Sequence, residues 1–213
     1  MSKIAFVSQS GNVMKSTLAT AMGLEAVANG IDTTVVDLDT EHRTITAFIE
    51  QRIEYEIEPI FKVNTVDSAR EALDSFNDEQ LYIIDAPSRA TSATSTIAKE
   101  VDLVIQPTPP SKKDIDLALK TFFQLSSDGV PVENMLFVIT RVGSSAELDR
   151  AVEYIQSADI EGKTIRVLSS AIWEKVAYRS AINDGLAITE TQYPTLNDNA
   201  KAVIHQILTI LIR

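Results

Sequence analysis

The stretch Ile4–Met22, IAFVSQSGNVMKSTLATAM, limits what this chain can fold into more than any other. An apolar tetrad, Ile4-Ala5-Phe6-Val7, runs through a loop of mostly small and polar residues, Ser8 to Met14, into Lys15-Ser16-Thr17 and a helix-periodic segment through Leu18, Met22 and Val27. A strand that enters a helix through such a loop brings free backbone N–H groups and the positive end of the helix dipole to one point, and Lys15 adds a mobile cation there. An anion carrying several phosphates suits that cradle of Ser10, Gly11, Asn12, Val13, Met14, Lys15, Ser16 and Thr17, with the Ser16 hydroxyl available to Mg²⁺. The pattern is irregular, because a phosphate loop normally has glycine at its start and just before the lysine, where this chain has Gln9 and Met14. Taken alone, the loop reads equally as a strand-to-helix turn with a chance Lys-Ser pair.

The rest of the chain decides between the two. Asn29-Gly30 stops the first helix, and Thr33-Thr34-Val35-Val36 reads as a strand that ends in Asp37-Leu38-Asp39. A helix from about Arg43 to Arg52, a strand through Ile57, Ile60 and Phe61, and a helix near Val66 to Phe76 follow. Leu81 to Ile84 is a strand ending in Asp85-Ala86-Pro87, and Ser88 to Lys99 is polar and partly helical. Leu103-Val104-Ile105 is a strand stopped by Pro107, Asp114 to Leu125 an amphipathic helix, and Met135 to Ile139 another strand. Short apolar strands alternating with helices predict an α/β fold, a single-domain P-loop architecture with a mostly parallel twisted sheet covered by helices on both faces. Ligands of such sheets gather at the C-terminal strand ends, which is where Lys15, Asp37, Asp39 and Asp85 fall. One cation and three carboxylates around one crevice is the set that metal-assisted phosphate chemistry needs, one carboxylate serving the metal and another orienting water. Each aspartate taken singly also reads as a solvated strand-end or capping residue.

Composition narrows the function classes. The chain has no cysteine and two histidines, which removes disulfides, thiolate metal sites and a histidine-rich metal centre. A net charge of −11 disfavours nucleic-acid binding driven by overall charge, though it leaves room for a local basic patch. There is no run of eighteen apolar residues, and Met1-Ser2-Lys3 passes straight into a strand, so a cytoplasmic, non-exported protein is expected.

With these residues in place the chain resembles the ParA/MinD family of deviant-Walker ATPases, most of all the small plasmid-partition ParA proteins. The family's loop reads KGGxxKT, its second strand ends in D-x-D-P-Q and its Walker B strand ends in aspartate; the matching stretches here are SGNVMKS, DLDTE and YIIDAP. PTPPSKKDID resembles the family's proline-rich segment, FVITR the strand next to the adenine, and Ser169 to Gly185 the adenine loop and dimer-contact helix. The resemblance implies ATP and Mg²⁺ as cofactors, Lys15 as the phosphate lysine, Ser16 as a Mg²⁺ ligand, Asp39 as the water-positioning residue, Asp85 as an outer-shell Mg²⁺ carboxylate and Asp37 as a supporting one. It places Arg141 near the base; a strand-end arginine in a salt bridge is the competing reading. It also implies one domain over residues 1–213, a homodimer on ATP binding, a ParB-like or other small adaptor that stimulates hydrolysis, and non-specific DNA of the nucleoid as a further partner, with no membrane.

One departure bears on rate. The family's first loop lysine reaches across the dimer to the partner's phosphates, and here that position is Ser10. Cations of this kind are worth about 10³ to 10⁵ in rate, roughly 4 to 7 kcal/mol of barrier, so slow hydrolysis is expected unless another cation substitutes. Lys112 and Lys113 in the proline-rich segment are the catalytic candidates for that charge, with Lys175 a third; McdA-type relatives likewise lack the first lysine. Arg166, Lys175, Arg179, Lys201 and Arg213 are the candidate DNA contacts. The apolar C-terminal helix, Asn199 to Arg213, has too few basic residues for a membrane anchor and reads as core packing. The alternative function is a catalytically weak or inactive nucleotide-binding scaffold. A metabolic P-loop transferase, dethiobiotin-synthetase-like, would need an acid-binding pocket for which no residues stand out.

Overall fold

The computed structural model describes residues 2–77, 79–87, 92–158 and 163–211. Its elements run β1 (Lys3–Phe6), α1 (Lys15–Ala28), β2 (Thr33–Asp37), α2 (Thr44–Glu54), β3 (Lys62–Thr65), α3 (Ala69–Asp74), β4 (Leu81–Asp85) and α4 (Ser92–Glu100). They continue with β5 (Leu103–Thr108), α5 (Lys112–Ser127), β6 (Met135–Ile139), α6 (Ser145–Gln156), α7 (Val176–Asn183) and α8 (Pro194–Leu211). The strands form one all-parallel sheet in the order β3-β2-β4-β1-β5-β6. Parallel strands bury both faces, which is why β2, β4 and β6 carry no polar alternation and are buried at every residue. One face packs against α3, α4, α5 and α6, the other against α1, α2, α7 and α8.

Local sequence writes some helices and not others. Ser68, Ser111 and Ser144 each accept a bond from the backbone N–H three residues on, at 3.2–3.3 Å, and so cap α3, α5 and α6; such caps are worth about 1 kcal/mol each. α1 and α2 have no side-chain cap and start from left-handed residues, Met14 (φ 69°) and Arg43 (φ 47°). Both helices open toward the C-terminal edge of the sheet; the first N–H groups of α1 remain available, while those of Ile45 and Thr46 at the start of α2 help hold the Asp37 carboxylate.

The sheet departs from the sequence expectation at two strands. The strand foreseen through Ile57, Ile60 and Phe61 lies further on, at Lys62–Thr65, because Pro59 breaks the run and β3 is a half-exposed edge whose KVNT sequence has a weak β signal. β5 does not stop before Pro107. It continues to Thr108, since β1 pairs only as far as Ile105 and Pro107 faces β6 alone. α6 is an element that the apolar pattern did not bring out, and Ser88 lies outside the described residues, as do Arg213 and Met1. α8 buries Ala200, Val203, Ile204 and Ile207 in the core beside α1, as expected of a packing helix. Among the described residues no helix is long and apolar enough to cross a membrane.

Candidate functional site

The strand order brings together what is distant in sequence. β4 lies between β1 and β2 with Asp37 and Asp85 in register, so both carboxylates leave neighbouring strands at the same level, next to the loop that follows β1. Lys15, 5% exposed, donates from Nζ to Oδ1 of Asp85, which is 0% exposed. Asp37 is equally buried, and its Oδ1 accepts the Asp39 N–H at 3.0 Å. Burial pushes the Asp37 carboxyl above its usual range, with the backbone bond from Asp39 opposing and the nearby Asp85 reinforcing. Burial also pushes Asp85 up, against the downward pull of Lys15 and the Ser16 hydroxyl.

The second oxygens, Oδ2 of Asp37 and of Asp85, are buried with no hydrogen-bond partner. Unsatisfied buried oxygens of this kind cost on the order of 1–3 kcal/mol each, more when charged, and a hydrated cation between them would satisfy both. Among the described residues there is no cluster of three or more His, Asp or Glu arranged to hold a metal. That donor set fits Mg²⁺, which keeps waters, uses one or two carboxylates and takes its remaining oxygens from phosphate. Ser16, Asp37 and Asp85 are the residues that would hold it.

The loop answers the missing glycine before the lysine directly. Asn12 (φ 62°) and Met14 (φ 69°) adopt the left-handed backbone that glycine would supply. Met14 does so against a steric cost of about 1–2 kcal/mol. The carbonyls of the loop are taken up by the end of β6: Thr140 Oγ1 donates to Val13 O at 3.1 Å and Arg141 Nη1 to Asn12 O at 3.2 Å. Leu18 is the first helix residue whose N–H is bonded, to Met14 O at 2.9 Å. The N–H groups ahead of it face the loop's concavity, a nest with the helix dipole behind it. The Ser8 hydroxyl holds the Ser10 backbone, donating to Ser10 O at 2.5 Å and accepting from the Ser10 N–H at 3.0 Å.

Asp39 and Arg141 flank this centre. Asp39 lies within electrostatic reach of both Lys15 and Asp85. Burial alone would raise its carboxyl, but the His42 bonds and Lys15 bring it below the usual range; His42 in turn is raised by its bond to Asp39. Arg141 donates from Nε to Glu174 at 2.7 Å, and Glu174 also accepts from Arg179 at 2.7 Å, so Arg141 ties the phosphate loop to the segment Ser169–Gly185 while making the salt bridge of the plainer reading.

The lysines proposed to replace the missing charge are placed differently. Lys112 bonds Asp116 and the Tyr154 hydroxyl, each at 2.8 Å, which raises its pKa and holds it on α5. Lys113 and Lys175 are exposed. None of the three contacts Lys15, Asp39 or Asp85 in this structure. Of the basic surface set, Arg166 donates to the Glu133 carbonyl, Arg179 pairs with Glu174 and Lys201 with Glu25 at 3.6 Å.

Two features escaped the sequence reading. His42 grips Asp39, a D-x-x-H spacing ahead of a helix that could have signalled it. Arg52, 0% exposed on α2, forms a two-pronged bridge to Glu190 at 2.6 and 3.1 Å and donates to Gly185 O at 2.9 Å, anchoring α2 against the connection from α7 to α8. No local pattern marks an arginine for burial. A cavity of about 250 Å³ opens beside Ser16 and Thr17, walled by Phe48, Ile182 and Ile188.

An uncapped helix behind a left-handed loop, with a lysine and buried aspartates from adjacent parallel strands, defines a nucleotide-binding P-loop protein. Residues 4–188 match the model of the CobQ/CobB/MinD/ParA nucleotide binding domain, and the chain belongs to that family. Its fold is also that of a plasmid partition protein from Borrelia burgdorferi B31 bound to AMPPNP (TM-score 0.70, 15% identity, 97% of this chain and 99% of that one). It is shared by a variant of Cyanothece McdA in complex with ATP (0.71, 17%, 97% and 96%) and by Pyrococcus horikoshii MinD complexed with Mg-ADP (0.74, 16%, 97% and 95%). No curated protein matches the sequence.

Proposed function

We propose that this protein is an ATP-dependent dimerising ATPase that distributes plasmid DNA or another cargo over the nucleoid, its hydrolysis stimulated by a ParB-like or other small adaptor. The observation that carries the reading is the convergence of Lys15, Asp37, Asp39 and Asp85 at one end of β1, β2 and β4, with two buried carboxylate oxygens left unpaired. Mg²⁺ bound there would neutralise charge on the terminal phosphates. With a nucleotide bound, Lys15 would exchange Asp85 for a phosphate oxygen, the loop N–H groups would hold further phosphate oxygens, and Asp39 would accept a bond from the attacking water. Arg141 is the residue this reading places on the base side.

Hydrolysis by the chain alone is slow, because Ser10 brings no charge and Lys112 is engaged by Asp116 and Tyr154. Lys113 and Lys175, both exposed, are the cations free to reach the crevice when a dimer closes. The same observations favour the second reading, a nucleotide-binding scaffold with little or no turnover. DNA contact through Arg166, Lys175, Arg179, Lys201 and Arg213 would be phosphate-driven and fall steeply with salt.

Size-exclusion chromatography with ATP, ADP or no nucleotide, with and without DNA, tests the switch. ATP-specific dimers support it; a monomer under every condition refutes it. ATP turnover in the presence of a centromere-binding adaptor separates the ATPase from the scaffold.

A further inference from the structure

The loop between β2 and α2 is built around the side chain of Asp39. Its Oδ1 accepts from the His42 backbone N–H at 3.1 Å and from the His42 ring Nδ1 at 3.0 Å, and Oδ2 lies 3.2 Å from the same nitrogen. The Asp39 carbonyl accepts the Arg43 N–H at 2.8 Å, and the Asp39 N–H is held by Asp37. An ionised carboxylate only accepts, so Nδ1 carries the ring proton and Nε2 faces solvent on a side chain that is 68% exposed.

The other charges around the pair are Glu41 beside His42, and Lys15 and Asp85 on the crevice side of Asp39. Without the imidazole, Asp39 keeps one donor, the His42 N–H, and its carboxylate is free to turn toward Lys15. A carboxylate turned toward Lys15 no longer orients water.

We infer that His42 is a positioning residue for Asp39, holding its carboxylate turned away from Lys15 and toward the place of the attacking water. The inference rests on the hydrolytic role proposed above for Asp39. The ring contributes a donor at a fixed place, so the requirement is geometric: asparagine, whose amide nitrogen sits near the position of Nδ1, serves in place of histidine, and alanine does not.

Single-turnover hydrolysis of Mg-ATP by His42→Ala and His42→Asn, together with affinity for a fluorescent ATP analogue, tests this. His42→Ala is expected to lose about tenfold in kcat, the scale of a displaced catalytic group, with nucleotide affinity unchanged within about twofold. His42→Asn is expected to stay within about twofold of the native rate. In nucleotide-free protein, ¹⁵N spectra of the His42 ring are expected to show the Nδ1–H tautomer, lost in Asp39→Asn. Native rates in His42→Ala, an equal loss in His42→Asn, or a neutral ring protonated at Nε2 instead of Nδ1 overturn the inference while leaving the ATPase reading intact. Native protein that binds Mg-ATP without any turnover, adaptor included, overturns the ATPase reading and this inference with it.

Discussion

Lys15 and Asp85 form a pair in which both partners are removed from water, 5% and 0% exposed. Taking away one partner strands the other, which costs about 3–5 kcal/mol, a large share of a typical stability of about 5–15 kcal/mol. Lys15→Met keeps the apolar stem that packs under the loop and removes only the charge. The nucleotide-free variant should therefore lose about 3–5 kcal/mol, seen as a fall of about 1–2 M in the urea midpoint at a slope near 3 kcal/mol/M. Trp173, the only tryptophan in the chain, and far-UV circular dichroism give two independent probes of the transition. Lys15→Met with Asp85→Asn should recover much of the loss, because Asp85 is then no longer left charged without its partner; coupling in such cycles reaches about 3 kcal/mol.

The pH dependence of Lys15→Met has a definite sign. Burial raises Asp85, so the folded state binds that proton more tightly than the unfolded chain, and stability rises as pH falls through the folded pKa. The penalty is complete above the raised folded pKa and gone below the unfolded value of about 3.9. A loss under about 1 kcal/mol, or no recovery in the double variant, would show that the pair does not bear on stability as its burial demands.

Gly23 tests the packing of α1: a Cβ there would meet Phe61 Cδ1 at 2.7 Å and Val35 Cγ2 at 3.0 Å. Gly23→Ala gains about 1 kcal/mol of helix propensity but forces a core overlap worth about 1–3 kcal/mol, so thermal or urea unfolding should show a net loss. Arg52→Lys keeps the charge but gives up the two-pronged bridge to Glu190 and the Gly185 contact; a loss of at least about 2 kcal/mol is expected in urea titration. An unchanged midpoint would refute the anchoring role. In NMR titration His42 should have a pKa above its ordinary 6.5, falling back in Asp39→Asn. Since pairing raises it, this contact adds stability that is fully present below pH 6.5 and fades as pH rises through the folded pKa. Chelation of magnesium should weaken nucleotide binding in the native protein but have less effect in Asp37→Asn/Asp85→Asn, measured by isothermal titration calorimetry.

Much of this protein is local enough to read from its order of residues. Three apolar strands that end in, or lead to, Lys15, Asp37, Asp39 and Asp85 announce a parallel sheet with its ligands at one edge, because strands buried on both faces leave long apolar runs and their ends alone are polar. β3 was misplaced and β5 cut short for the opposite reason: an edge strand is half polar, and a proline is harmless where a neighbour is missing, which depends on pairing rather than on composition. The missing glycines looked like defects in a phosphate loop, yet Asn12 and Met14 take the left-handed geometry once Thr140 and Arg141 bind the loop carbonyls.

Tertiary structure alone decided the rest. That β4 inserts between β1 and β2, so that Asp85 meets both Lys15 and Asp37, follows from how crossovers pack. The burial of Arg52 follows from a carboxylate 138 residues away. The contact of Lys112 with the Tyr154 hydroxyl on another helix is likewise tertiary, whereas its pair with Asp116, four residues on, is local. Sequence names the groups and their strand ends; burial, register and the pairing of charges across the sheet are properties of contacts between distant segments, and those exist only once the chain has closed on itself.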